Sequence, residues 1–188
     1  KLLTRTLAQR MLKLVPEFVS KMQIGFVPNT IIMETTVFLK LLQSHLDNID
    51  EGGVLVFLDM EKAFDRVSWR YLKKACRALG FTDDLMAWIE TLYNEKRAPK
   101  RRIYTNGKFS KKYNVNVGTA QGCPLSPLLF LPVMEALTRL LASDSKLKGI
   151  MIGSRDHRSN HFADDSIAAL ANIGYKPRLD INSSIFCS

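Results

Sequence analysis

Residues 54–59 read VLVFLD and residues 161–170 read HFADDSIAAL. Both are apolar runs of strand length, and each delivers acids at or near a strand end. Val54 to Leu58 is a continuous β-branched and apolar stretch, apt for a strand buried on both faces, and it stops at Asp59. In the second run, Asp164-Asp165 sits between two apolar halves, the pattern of a hairpin around a tight acidic turn. A carboxylate at the end of a buried strand loses hydration unless a cation or hydrogen bonds compensate. Carboxylates brought together repel, and divalent metal ions relieve that repulsion. Oxygen-only donors point to Mg²⁺ or Mn²⁺ over Zn²⁺. Two such ions about 3.5–4 Å apart activate a hydroxyl nucleophile and stabilise a leaving pyrophosphate. The plainer alternative is that acids after strands and Asp-Asp turns are common.

Outward from these runs, the pattern is mixed. Residues 1–19 have Leu3, Leu7, Met11 and Leu14 at helical spacing, with Pro16 interrupting the end. QIGFVPNT (23–30) reads as a turn, punctuated by Gly25 and Pro28. Ile31, Thr35, Phe38, Leu39, Leu42 and Leu46 form one helical stripe. A helix is expected over about 67–79, with Gly80 as its C′ residue, and another after Thr82, with Leu85, Trp88, Ile89 and Leu92 on one face. Asn106-Gly107 marks a hairpin within 102–117. Ser126 to Leu141 is helical and apolar, but Pro132 should kink or split it, at about 3 kcal/mol if nothing compensates. Gly149 to Gly153 reads as a short strand and RDHRSN (155–160) as a polar turn. The organisation is α+β.

The chain has 188 residues, with 46% hydrophobic and 24% charged, which is a globular balance and of a size that buries a core without disulfide or metal staples. Cys76, Cys123 and Cys187 are few and far apart, so they exclude a disulfide framework and a Cys-rich zinc site and read as core filler. No stretch of about 18 uncharged apolar residues occurs, so no membrane span is expected, and the start lacks the apolar core of a secretory signal. The expected setting is intracellular, nucleus or cytoplasm.

The net charge of +9 is concentrated in one strip. Lys96, Arg97, Lys100, Arg101, Arg102, Lys108, Lys111 and Lys112 lie within 96–112 without one acid, interleaved with Tyr104 and Phe109 and followed by Tyr113. Such a strip reads either as a nucleic-acid surface or as a solvated positive hairpin face.

FLDMEKAFDRVSW (57–69), GTAQGCPLSPLLF (118–130) and FADD (162–165) resemble, in order and spacing, motifs A, B and C of reverse transcriptases, in the flavour of non-LTR retrotransposons. KLLTRTLAQRML…KMQIGFVP (1–28) resembles the segment upstream of motif A in that family. The resemblance implies a polymerase palm, an antiparallel sheet backed by helices, over 51–188, with partial fingers over 1–50 and no thumb. It implies Asp59, Asp164 and Asp165 as catalytic carboxylates that bind two Mg²⁺ ions (Mn²⁺ as substitute) with the Met60 carbonyl. It implies Phe64 as the ring that excludes a ribose 2′-hydroxyl, although a core phenylalanine on a first helical turn would look the same. Gln121 and Gly122 would pack against the incoming nucleotide. The implied partners are an RNA template, a DNA primer and deoxynucleoside triphosphates, with no membrane. Asp65 and Trp69 read as structural, a helix-start acid and a packed indole.

The sequence also departs from the family. The turn usually written GF-x-PGR reads GFVPNT, so Asn29 and Thr30 replace a Gly-Arg pair. Finger residues expected before Lys1 are absent. The segment after motif C is short, as if a deletion follows about residue 170. A lysine acting on the leaving group has only Lys176 as a candidate. Two other readings therefore accompany reverse transcription: a catalytically inactive nucleic-acid-binding remnant, and an RNA-dependent RNA polymerase palm, against which Phe64 argues.

Overall fold

A computed structural model describes residues 2–48, 52–177 and 179–180; Cys187 lies outside the described residues. Helices α1 (Leu2–Phe18) and α2 (Ile32–Asp47) precede strand β1 (Val54–Leu58). Three further helices follow: α3 (Ala63–Arg66), α4 (Trp69–Ala78) and α5 (Asp83–Leu92). A ribbon is built from β2 (Lys100–Arg101), β3 (Tyr104–Thr105), β4 (Lys108–Phe109) and β5 (Tyr113–Asn114). The long helix α6 (Ser126–Ser143) leads to β6 (Ile150–Ile152), β7 (Arg155–His157), β8 (Ser159–Phe162) and β9 (Asp165–Leu170).

The central sheet is antiparallel, in the order β1-β9-β8. Its register pairs Val54 with Leu170 and Leu58 with Ser166, and β9 folds back so that Phe162 faces Asp165. Residues 22–24 extend the sheet along the outer edge of β8: His161 N–H donates to the Met22 carbonyl (2.7 Å) and Ile24 N–H to the His161 carbonyl (2.8 Å).

One sheet face meets the main core. Val54, Val56, Leu58, Ala168 and Leu170 pack there with α1, α4 and α6. Burying each Leu, Phe or Val side chain contributes roughly 1.5–3 kcal/mol. That accounts for α6, which runs unbroken through Pro132 and is neither split nor ended by it. The proline removes one backbone bond, but Leu128 to Met134 are all buried around it, and their burial outweighs the loss. By length and composition α6 could cross a membrane, yet it is the buried helix of this core. It is tied down at its middle and at its C-terminus. The buried Glu135 carboxylate accepts from Ser20 N–H (2.8 Å) and pairs with Arg139 (2.7 Å), which donates to the Phe18 carbonyl (3.0 Å). At the C-terminus, Arg158 Nη1 donates to the carbonyls of Leu141, Ala142 and Asp144, three acceptors left over at a helix end.

The second face is only half covered, which corrects the expectation of a strand buried on both sides. Leu55 and Ala169 lie under Phe38, Leu42 and Leu46 of α2 and under Ile150 and Ile152. The cover stops there, leaving Phe57 68% exposed. Other expectations shift by small rotations. In α1 the buried side chains are Leu7, Ala8, Met11, Val15 and Phe18, while Leu3 and Leu14 face outward. In α5, Met86 and Ile89 are buried and Trp88 is exposed. The polar turn expected at 155–160 is two strand segments; the chain reverses at Gly153 instead (φ 61°), where a residue without Cβ carries the left-handed conformation at little cost.

Candidate active site

Asp59 is the first residue after β1 and Asp165 the first of β9. Extending the β1–β9 register by one step beyond Leu58 and Ser166 sets Asp59 opposite Asp165. Asp164 lies in the two-residue turn between β8 and β9, after Ala163. The three acids therefore share one end of the sheet, and by strand alternation Asp59 and Asp165 continue the uncovered face on which Phe57 stands. Among the described residues none of the three carboxylates has an ion-pair partner. Their side chains do not converge into a metal-ligand cluster, and no such group of His, Cys, Asp or Glu exists among the described residues. The donors are nonetheless hard oxygens with unbalanced charge, at adjacent strand ends. That set fits a divalent cation, which side-chain rotation would have to gather. The Met60 carbonyl accepts from Ala63 N–H (3.1 Å), and its second lone pair remains for a ligand.

The turn that carries Asp164 is seated by the edge segment. Ala163 holds φ 59°, uncommon for a residue with a Cβ, so its surroundings must impose it. Gln23 does so in part: its buried Nε2 donates to the Ala163 carbonyl (3.3 Å). Gly25 lies so close that a Cβ there would sit 2.1 Å from Ala163 N. Phe26 follows at φ 64°, with its ring edge-on to Phe64 (6.1 Å between centroids). The departure at Asn29-Thr30 has a local explanation. Asn29 takes φ 64°, a left-handed conformation that asparagine tolerates better than most residues and that suits a glycine position. Thr30 Oγ1 reaches the carbonyls of Ile24 (2.6 Å) and Val27 (2.8 Å), closing the turn. No cation replaces the arginine at that position.

Beside this turn lies a cleft of about 240 Å³, lined by Phe64, Thr119, Ala120, Gln121, Gly122 and Cys123, with Ser126 and Pro127 at the start of α6. Phe64 is at once a packed ring and a wall of the cleft. Its ring is half-buried and stacks on Phe130 at 4.5 Å, and its edge borders the cleft. Gln121 and Gly122 are the central residues of a turn closed by Cys123 N–H to the Ala120 carbonyl (3.2 Å). Gly122 has φ 73°, the third-position requirement of a type II turn, and the space where its Cβ would go is open. Gln121 donates to the Asp65 carboxylate (3.3 Å), so Asp65 ties the two motifs together beyond its place in a short helix. Further ties hold the loop: Gly118 N–H to the Val67 carbonyl (2.8 Å), Thr119 N–H to the Phe64 carbonyl (2.8 Å), and the buried Trp69 Nε1 to the Gly118 carbonyl (2.7 Å). The structural reading of Trp69 is met.

Other polar residues of these segments stand apart from the cleft. Arg66 pairs with Glu61 (2.8 Å) on the surface, and Lys176 with Asp180 (3.8 Å). His161 is buried between the Ser166 and Ser159 hydroxyls (2.8 and 3.1 Å), and burial pushes its pKa down to about 4. It is a neutral strand residue at ordinary pH. Cys76 is buried, its thiol pushed up to about 12 by the same cause. Sequence reasoning missed Gln23 and Gly25, whose signal was present only as a turn, and Cys123 as part of the cleft. The eight cations of the strip all project from the exposed segment 96–112.

Comparison with known proteins gives a consistent picture. The chain resembles the Pol polyprotein of the type-1 retrotransposable element R2 of Popillia japonica, 31% identical over 141 residues, covering 75% of this chain and 22% of that protein. It is 28% identical over 159 residues to the R2DM Pol polyprotein of Drosophila melanogaster, covering 84% and 14%. With the transposon TX1 149 kDa protein of Xenopus laevis it shares 25% over 169 residues, covering 89% and 12%. The chain thus spans less than a quarter of each of these relatives. In fold it is similar to apo telomerase from Candida tropicalis, with a TM-score of 0.63 at 11% identity, over 96% of this chain and 33% of that one. The sequence profile described as "Reverse transcriptase (RNA-dependent DNA polymerase)" matches residues 1–174, and with that match the chain belongs to the reverse transcriptase family.

Proposed function

We propose that this chain carries the catalytic centre of an RNA-directed DNA polymerase of a non-LTR retroelement, extending a primer 3′-hydroxyl with deoxynucleoside triphosphates on an RNA template. The observation that carries the proposal is the register that sets Asp59 opposite Asp165, with Asp164 in the adjoining turn. The cleft of Phe64, Gln121 and Gly122 lies next to it, joined through Gly25 and Phe26.

In this reading the primer 3′-oxygen attacks the α-phosphorus of the nucleotide. The new P–O bond forms as the bond from the α-phosphorus to the bridging oxygen breaks, the hydroxyl proton passes to solvent water, and the bridging oxygen leaves with pyrophosphate. Asp59, Asp164, Asp165 and the Met60 carbonyl would hold two divalent ions, Mg²⁺ or Mn²⁺, which supply hydroxyl activation and charge neutralisation on the leaving group. The chain's own residues do the positioning. Gly122 lets the backbone approach the nucleotide, Gln121 borders the base, and Phe64 fills the space that a 2′-hydroxyl would need. Phosphoryl transfer depends almost wholly on such positioning and on electrostatics. The basic residues Lys96, Arg97, Lys100, Arg101, Arg102, Lys108, Lys111 and Lys112 would hold the polyanionic template or primer backbone.

A second reading, a nucleic-acid-binding remnant without activity, is favoured by the unconverged carboxylates and by the missing cation at Thr30. Primer extension on an RNA template separates the two. The proposal expects Mg²⁺-dependent dNTP incorporation that disappears in Asp164→Ala/Asp165→Ala; equal background in both proteins rejects it in favour of the remnant.

A further inference from the structure

The ribbon spanning Lys100 to Asn114 has more on its surface than charge. Its two ladders are out of step. Arg101 pairs with Tyr113 and Tyr104 with Phe109, while Ser110 N–H bonds the Ile103 carbonyl (2.8 Å). Arg102 therefore faces two residues, Lys111 and Lys112, across a bulge, the device that re-aims side chains in a ribbon. Beyond the bulge, Tyr104 and Phe109 share one face with ring centroids 4.7 Å apart, and the Arg102 guanidinium lies 4.6 Å from the Phe109 centroid. Asn106 (φ 49°) and Gly107 (φ 75°) make the tight turn at the tip. The rings are left in water: Tyr104 is 63% and Phe109 60% exposed. Among the described residues none of the eight cations of the strip has an acidic ion-pair partner.

We infer that this ribbon is a docking surface for unpaired bases, taking single-stranded nucleic acid by stacking on Tyr104 and Phe109 while its cations follow the phosphates. The inference deepens the proposed function's reading of the basic strip as a nucleic-acid surface and names the form it prefers. Charge selects the occupant: eight unpaired positive side chains and no acid fit a polyphosphate chain. The rings select its state. A duplex hides its base faces, whereas a single strand offers phosphates and π-faces together, and stacking of this kind tolerates any base.

The test uses the 188-residue chain and fluorescence anisotropy with oligo(U) RNA, oligo(dT) DNA and a duplex, each about 12 nucleotides long, near the single-strand site sizes of known stacking grooves. Tyr104→Ala/Phe109→Ala keeps every cation. It is expected to weaken both single strands by about tenfold or more and to leave duplex affinity and its salt slope unchanged. Tyr104→Leu/Phe109→Leu keeps apolar strand residues without π-faces and should match the alanine pair, so loss of the ribbon cannot imitate the result. Lys111→Ala/Lys112→Ala should weaken all three ligands and lower the salt slope by about two phosphates. Equal losses on duplex and single strand would overturn the inference, as would full affinity in the leucine pair. Binding to phosphatidylserine vesicles without oligonucleotide binding would overturn it in favour of a membrane surface. RNA and DNA strands should bind within a few-fold of each other; a strong preference for RNA would make the 2′-hydroxyl, not stacking, the basis. If the parent chain extends no primer yet shows ring-dependent binding, the polymerase reading fails and this one stands.

Discussion

Gly25→Ala is the perturbation that best tests how the acidic turn is seated. The added Cβ would lie 2.1 Å from Ala163 N and 2.9 Å from both Ala163 Cα and the Phe162 carbonyl carbon. All three are backbone atoms, so no side chain can swing away. Relief requires the edge segment and the turn to part by roughly 1 Å, in an interior packed as densely as a crystal. Three hydrogen bonds span that gap: Ile24 N–H to His161, His161 N–H to Met22, and Gln23 Nε2 to Ala163. At about 1 kcal/mol net for each, with the strain shared between them, the expected destabilisation is about 2–4 kcal/mol. Urea unfolding followed by circular dichroism reads it. The same shift moves Asp164, and a misplacement of about 1 Å costs on the order of 10²-fold in rate, which primer extension under native conditions reads. A Gly25→Ala protein within about 0.5 kcal/mol of the parent, with extension unchanged, would falsify the claim that this contact seats the turn.

Two further outcomes follow from the site. Phe64→Ala removes the ring bordering the cleft and its stack on Phe130; single-nucleotide incorporation should show the ratio of NTP to dNTP use rising about tenfold or more, while Phe64→Tyr keeps the discrimination. An unchanged ratio in Phe64→Ala makes Phe64 a packing residue and no gate. His161 supplies a pH signature. Its ordinary pKa of 6.5 is pushed down to about 4 by burial, so below pH 6.5 the unfolded chain takes up a proton that the folded chain refuses. This contribution is fully present above pH 6.5 and is lost as the pH falls towards 4, by about 3 kcal/mol in total. Urea midpoints between pH 7 and 4.5 should fall accordingly, with a shallower fall in His161→Gln; the same slope in both would assign the acid lability to other groups.

Much of the site was legible because its chemistry is local. Asp59 after an apolar run, Asp164-Asp165 between two others, and the glycine of the Gln121-Gly122 turn are residue types at short spacing, and each sits as its neighbours require. Pro132 misled for the opposite reason. Its local penalty is real, but the helix around it is buried on nearly every side, and burial outweighs one lost bond. Phe57 misled in the same way: a continuous apolar run implies two covered faces, whereas the cover given by α2 ends at Leu55. Where a neighbouring element stops is not encoded in the strand it covers.

By itself, the sequence determined the chemical groups this protein offers: three carboxylates, a phenylalanine after the first of them, a glycine turn and a basic aromatic strip, each defined by side chains close together along the chain. The tertiary structure alone decided where they lie. It fixed the β1–β9 register whose next step sets Asp59 opposite Asp165, bridged the upstream segment to the edge of β8 so that Gln23 reaches Ala163 across 140 residues, and placed a bulge that brings Arg102 over Phe109. Backbone donors and acceptors are the same at every residue, so local sequence leaves the choice of strand partner open. Register and close approach emerge only when the whole core packs and every buried bond must find its mate.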